Sequence, residues 1–174
     1  MRQVGVAIVG LGNSGWRLHG EYLAGAARFR LAGVCDADGS RLTRVADALG
    51  APQVASFKAL LRHYDVDLVV LAVPHTLHVG MTVEALEAGK HVVVEKPMCL
   101  DVGEADRMID AAGRAGRLLT VFHNRRWDAD FLTLRRALEG GVLGDVRVIE
   151  SRRSGGFYLA MDTPPEGSWT LGLE

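Results

Sequence analysis

The stretch that most constrains this chain is Val4 to Gly15, VGVAIVGLGNSG. Val4 to Val9 is an apolar run of strand length, and apolar residues on both of its faces point to a strand covered by helices on each side. It leads directly into Gly10-Leu11-Gly12-Asn13-Ser14-Gly15, a G-x-G-x-x-G turn, after which the spacing becomes helical. In such a unit the first glycine allows the tight turn, the second lets backbone approach a pyrophosphate, and the third lets the helix pack closely on the strand. The unpaired N–H groups and positive dipole end of the helix then hold the phosphates. Gly10, Gly12, Asn13, Ser14 and Gly15 are therefore candidate cofactor contacts. Glycine-rich turns are common. This one has a strand before it, a helix after it, and an acidic residue, Asp36, 21 positions beyond Gly15.

The rest of the chain alternates between strand-like and helix-like runs. Further strands are expected at Arg30–Cys35, Gln53–Ala55, Asp67–Val73, Lys90–Val94 and Arg117–Phe122. Between them, Trp16–Ala27 reads as a helix with Trp16, Leu18, Tyr22, Leu23 and Ala26 as its apolar contacts. Ser40 is expected to cap Arg41–Leu49, with Gly50 as the stop. Ser56 caps a helical turn, Thr76 opens Leu77–Ala88, and Asp101 with Glu104 has the spacing of a capping box for a helix that ends at Gly116. Six strands alternating with helices predict an α/β fold, a Rossmann-type doubly wound parallel sheet in the order 3-2-1-4-5-6 with right-handed crossovers.

That alternation stops after the sixth strand, so residues 1–122 read as a dinucleotide-binding domain with a boundary near His123. In residues 123–174, Asp128 is expected to cap a helix over Ala129–Glu139 that stops at Gly140-Gly141. Asp145–Arg153 alternates apolar and polar residues, as a half-exposed antiparallel strand does. With a tail containing Pro164-Pro165, this is too little for an independent core, and it reads as the beginning of an incomplete α+β domain. The apolar face of Val146, Val148 and Ile149 is then left uncovered, and self-association through that strand edge is expected.

Composition narrows the function classes. A formal net charge of −1 over 174 residues gives no support for nucleic acid or an anionic membrane as partner. No apolar run reaches the roughly 20 residues of a membrane helix, and no leader is visible before the first strand. Cys35 and Cys99 read as reduced thiols of a cytoplasmic protein. None of the six histidines has metal-ligand spacing, so no metal is expected. A G-x-S-x-G elbow and a Walker lysine are both missing, which disfavours hydrolase and nucleotide-triphosphatase chemistry.

Ligands of a doubly wound sheet bind outside the carboxyl ends of its strands. The strand-end residues here are Gly10, Asp36, Pro74-His75, Glu95-Lys96-Pro97 and His123-Asn124-Arg125. Asp36 can accept hydrogen bonds from an adenosine ribose and would repel the 2′-phosphate of NADP, so NAD is the expected cofactor. Arg41 is near enough to reach a 2′-phosphate, which keeps NADP open. Lys96 can bind a substrate hydroxyl and assist its deprotonation, or be a solvated strand-end lysine. His78 and His75 can each face the cofactor or cover the sheet, and His19 reads as structural.

GLGNSG, His19, Asp36, Val73-Pro74 with His78, ALEAGKHVVVEKP and HNRRWDADF together resemble the Gfo/Idh/MocA family of NAD(P)-dependent oxidoreductases, relatives of glucose–fructose oxidoreductase and inositol dehydrogenases. The resemblance covers Val4 to Ile149. It implies that Lys96 is the catalytic lysine and that the glycine turn and Asp36 hold the dinucleotide. It also implies that His78, Glu95 and the pair Asn124-Arg125 lie beside cofactor or substrate. Residues 123–174 would begin a substrate and oligomerisation domain whose remaining catalytic groups lie beyond Glu174. The implied activity is hydride transfer between a sugar or polyol CH–OH carbon and nicotinamide, in a homo-oligomer. Many members carry Asn where this chain has His75. A non-catalytic NAD(P)-sensing regulator of the same fold and a methyltransferase are the rival readings.

Overall fold

The computed structural model describes residues 2–152. The chain divides into two units, one ending at His123 and the other beginning at Asn124. The first holds a parallel sheet of five strands: β1 (Val4–Val9), β2 (Phe29–Cys35), β3 (Leu68–Leu71), β4 (His91–Val94) and β5 (Leu119–Val121), in the order β2-β1-β3-β4-β5. The strand made first thus sits inside the sheet, paired with β2 on one side and β3 on the other.

The double winding is visible in β1 itself. Successive strand residues face opposite sides of a sheet. Val6 and Ile8 pack with Val34, Val45 and Ala46 on one side. Ala7 and Val9 pack with Ala85, Leu86, Met108 and Ala111 on the other. The first layer is covered partly by α2 (Gly39–Leu49), the second by α4 (His75–Glu87) and α5 (Val102–Ala115). Fully burying one such aliphatic side chain is worth about 1.5–3 kcal/mol, so two dry layers around one strand anchor the sheet.

Several local expectations are corrected. Gln53–Ala55 is not a sixth strand: it makes a single parallel bridge, Gln53 to Val34, beside β2. Pro52 at its start has no N–H to donate, and the segment is too short to extend a ladder. Its place beside β2 still agrees with the predicted strand order. The cap of α2 is Asp38, whose carboxylate accepts from Ser40 N and Arg41 N, and not Ser40. Helix α4 begins at His75 behind Pro74, two positions earlier than the Leu77 start expected behind Thr76. Ser56 does cap the short α3 (Phe57–Leu61), and Asp101 caps α5, with Gly50 and Gly116 in the left-handed conformation behind α2 and α5.

The first helix also departs from expectation. It starts at Ser14 as a π-helical stretch, Ser14–Gly20, and continues as α1 (Glu21–Gly25). Gly15, His19, Gly20 and Leu23 are its buried positions, whereas Leu18 and Tyr22, expected as core contacts, are exposed. Such widened turns recur at functional sites.

The second unit contains a 3₁₀ turn (Asn124–Trp127) and α6 (Ala129–Glu139). Asp128 precedes α6 but makes no capping hydrogen bond; its carboxylate accepts from Arg125 instead. The predicted antiparallel strand is not formed over 145–152, where Val146, Val148 and Ile149 are exposed. An alternating pattern needs a neighbouring strand to pair with, and no strand of this unit lies among the described residues. Arg153 and the Pro164-Pro165 tail lie outside the described residues.

Candidate functional site

The turn after β1 is built around its glycines. Gly10 has φ +85°, and a Cβ there would come 2.3 Å from the Ala72 carbonyl oxygen. A Cβ on Gly15 would come 1.8 Å from the Gly10 carbonyl oxygen. Both positions therefore exclude any side chain. Gly12 differs, because nothing lies within 4 Å of where its Cβ would be. That open space over the backbone is room for a ligand, and Asn13 and Ser14 stand beside it at the start of the helix, where N–H groups lack intrahelical partners.

Asp36, one residue past β2, locks this turn. Its Oδ2 accepts from Leu11 N at 2.6 Å and its Oδ1 from Asp38 N at 2.8 Å. Arg41 Nη1 lies 3.3–3.4 Å from both oxygens, and Arg41 also reaches Asp38 at 3.4 Å. The Asp36 side chain is 5% exposed and that of Arg41 40%. The predicted ribose acid is therefore already engaged inside the protein, with the arginine lying over it on the solvent side.

The end of β4 supplies the second half of the site. Lys96 is exposed, while Glu95 before it is buried. Glu95 Oε1 pairs with His19 Nε2 at 3.0 Å, the two side chains being 6% and 7% exposed. Glu95 Oε2 accepts from the backbone N–H of Lys96 at 3.2 Å. Burial alone would raise the Glu95 carboxyl, but the hydrogen bond and charge of His19, with the Lys96 N–H, outweigh it and hold the group below the usual carboxylate range. The His19 ring also packs on Phe122, just past β5, at 4.2 Å between centroids.

Beyond Lys96 the chain passes through a cis Lys96–Pro97 bond. His78, fully buried on α4, has Nδ1 2.8 Å from the Pro97 carbonyl oxygen and Nε2 3.0 Å from that of Val73. His78 is thus a sheet-covering residue that ties the ends of β3 and β4 together. His75, the first residue of α4, is held toward its neutral form by burial first, then by His78 and Lys96. Asn124 and Arg125 belong to the second unit, where Arg125 donates to Asp128 Oδ2 at 2.9 Å.

The structure therefore brings the glycine turn, Asp36, Arg41, Pro74, His75, His78, Glu95 and Lys96 to the carboxyl edge of one sheet. Within that set it turns Glu95 inward. The sequence reading gave His19 as structural but missed its partners, which are 76 and 103 positions away (95 − 19 and 122 − 19). The one local signal was an ionisable residue one helical turn beyond Gly15. Among the described residues no group of His, Cys, Asp and Glu is arranged to hold a metal, and no helix is long and apolar enough to cross a membrane.

Comparison with known proteins bears on this edge. A family profile, GFO_IDH_MocA, described as an oxidoreductase family with an NAD-binding Rossmann fold, matches residues 4–123. The chain is 39% identical over 146 residues to the uncharacterized oxidoreductase YdgJ of Escherichia coli, covering 84% of this chain and 42% of that protein. It is 34% identical over 145 residues to the scyllo-inositol 2-dehydrogenase (NADP(+)) IolW of Bacillus subtilis, covering 83% and 40%. Among solved structures it is similar to KijD10, a 3-ketoreductase of Actinomadura kijaniata in complex with NADP, with 28% identity, a TM-score of 0.78, and 84% and 47% coverage. The chain spans about two fifths of the length of the curated relatives named here.

Proposed function

The chain belongs to the Gfo/Idh/MocA oxidoreductase family, and on that premise we propose that it is the NAD(P)-binding part of a sugar or polyol dehydrogenase. The observation that carries this reading is the cradle at Gly12: an open backbone flanked by two glycines that admit no side chain, tied through Leu11 N to the acid at the end of β2. That arrangement fits a dinucleotide, with Gly10 to Gly15 against the pyrophosphate and Asp36 and Arg41 at the adenosine ribose. Pro74, His75 and His78 shape the edge between the ends of β3 and β4.

When bound, the nicotinamide supplies the hydride acceptor or donor. Lys96 binds the reacting hydroxyl of the substrate and holds the proton that leaves its oxygen. Glu95 and His78 keep the segment around Lys96 in place from inside the protein. A substrate-binding role for Asn124 and Arg125 is supported by the family resemblance of their motif. The substrate class, a sugar or polyol, is supported by the names of relatives such as the scyllo-inositol dehydrogenase. Homo-oligomerisation belongs to the same proposal, supported by the exposed apolar residues Val142, Leu143, Val148 and Ile149. So does a reducing, cytoplasmic setting, supported by the free thiols of Cys35 and Cys99.

Cofactor choice turns on Arg41. An NAD ribose needs the Asp36 oxygens that Arg41 now covers, whereas a 2′-phosphate is met by the guanidinium. Calorimetric titration of this chain with NAD⁺ and NADP⁺ tests the function. Binding of at least one of them, lost in Gly12→Ala, is expected. A folded chain that binds neither, or that takes S-adenosylmethionine instead, overturns it.

A further inference from the structure

We propose that His19 is a positioning residue for Lys96, acting through the buried carboxylate of Glu95. The inference rests on the reading of Lys96 as the residue that meets the reacting hydroxyl.

The geometry is a single relay. One oxygen of Glu95 is held by the His19 ring at 3.0 Å, and the other receives the Lys96 backbone N–H at 3.2 Å. The carboxylate cannot rotate to serve Lys96 differently without breaking its pair with His19. His19 in turn is immobilised by Phe122, which packs on its ring at 4.2 Å, and by burial at the widened turn of Ser14–Gly20. Lys96 itself is exposed, at a strand end where backbone ordinarily frays. Its long side chain has four rotatable bonds, so any looseness in the backbone multiplies at the ammonium. On the far side, His78 holds the Pro97 carbonyl at 2.8 Å. Lys96 therefore extends from a segment fixed at the residue before and the residue after.

The relay also explains why a carboxylate is buried here. A buried pair is weak evidence for stability, since apolar residues of the same volume serve as well or better. An apolar pair would pack this core but would offer no acceptor to Lys96 N–H. The His19–Glu95 pair does both. Because His19 lies six residues beyond Asn13, on the helix that opens at the cradle, the relay also joins the phosphate-binding element to the lysine.

The test is ¹⁵N relaxation of the folded chain, which reports the native state alone and is blind to changes in global stability. The Lys96 amide is expected to have an order parameter near the rigid value of about 0.85 in the unaltered chain, dropping below about 0.6 in His19→Leu. Val92 and Val94 within β4 should stay rigid in both, and His19→Gln, which keeps a donor, should restore Lys96. Should His19→Leu fail to fold, His19→Leu/Glu95→Met removes the unpaired charge and carries the same expectation for Lys96. An order parameter for Lys96 that stays at the wild-type value in the folded double variant, or that is already low in the unaltered chain, overturns the proposal. Dinucleotide titration of the unaltered chain is read separately: failure to bind NAD⁺ or NADP⁺ with a rigid Lys96 sinks the functional reading, not the relay.

Discussion

Replacing His19 by leucine isolates the energetic weight of the buried pair. The substitution preserves an apolar contact with Phe122 but leaves the Glu95 carboxylate without its ring partner at 7% exposure. Breaking a buried pair from one side costs about 3–5 kcal/mol. Glu95 keeps the Lys96 N–H, so the lower end, about 3 kcal/mol, is expected at pH 7. That is a large share of the roughly 5–15 kcal/mol that holds a domain folded. With a urea slope of about 2 kcal/mol per molar, the midpoint should fall by about 1.5 M.

The pH dependence gives the sign. In the unaltered protein the Glu95 carboxyl lies below its unfolded value of about 4.3, so its contribution is present above that pH and is lost as the pH falls through the folded value. In His19→Leu, burial, the largest influence, is opposed only by the Lys96 N–H and charge, the smallest, and the folded value is expected above the unfolded one. The carboxylate then destabilises at pH 7 and is relieved by protonation as the pH falls. The difference between the two proteins should therefore be greatest near neutrality and shrink toward pH 4. A difference under about 1 kcal/mol at pH 7, or one that does not change with pH, would refute the reasoning.

Four further outcomes are expected. Gly12→Ala should fold within about 1 kcal/mol of the unaltered chain yet lose dinucleotide binding by calorimetry, because its Cβ enters open space. Gly10→Ala should lose at least about 2 kcal/mol in urea unfolding, since it meets both a positive φ and the Ala72 carbonyl. Arg41→Ala should weaken NADP⁺ by about tenfold or more while NAD⁺ binds as well or better, from the loss of charge-assisted contacts to the 2′-phosphate; an unchanged ratio removes Arg41 from cofactor choice. Asp38→Ala should cost about 1 kcal/mol in thermal or urea unfolding through the lost cap of α2.

The sheet and its ligand edge were legible for a physical reason: strands buried on both faces are written as unbroken apolar runs, and Val4–Val9 and Leu68–Leu71 can be little else. Left-handed turns at Gly50 and Gly116 were equally readable, because a glycine behind an apolar helical face has few other uses. Capping was read less well. Asp38 and Ser40 are both good caps, and only the geometry decides which carboxylate or hydroxyl meets the free N–H groups. Gln53–Ala55 and Asp145–Arg153 show the opposite failure, since a β pattern states what a segment tolerates, while pairing depends on what lies beside it. The pairing of His19 was illegible because its partners Glu95 and Phe122 lie far along the chain, and the π-helical turn that aims it leaves no periodicity to detect.

The place of β1 inside the sheet has a consequence for biogenesis. A ribosome releases this strand before the other four of the sheet, yet its partner on one side, β3, does not exist until Leu71 has been made. Until then one edge of an entirely apolar strand is open, the condition under which chains pair with the wrong neighbour. Nascent chains stalled before Leu71 are therefore expected to be protease-sensitive and to engage holding chaperones. Those extended past Phe122, with room to clear the exit tunnel, are expected to be resistant, so that the dinucleotide cradle is the first part of the site to be synthesised and among the last to be assembled.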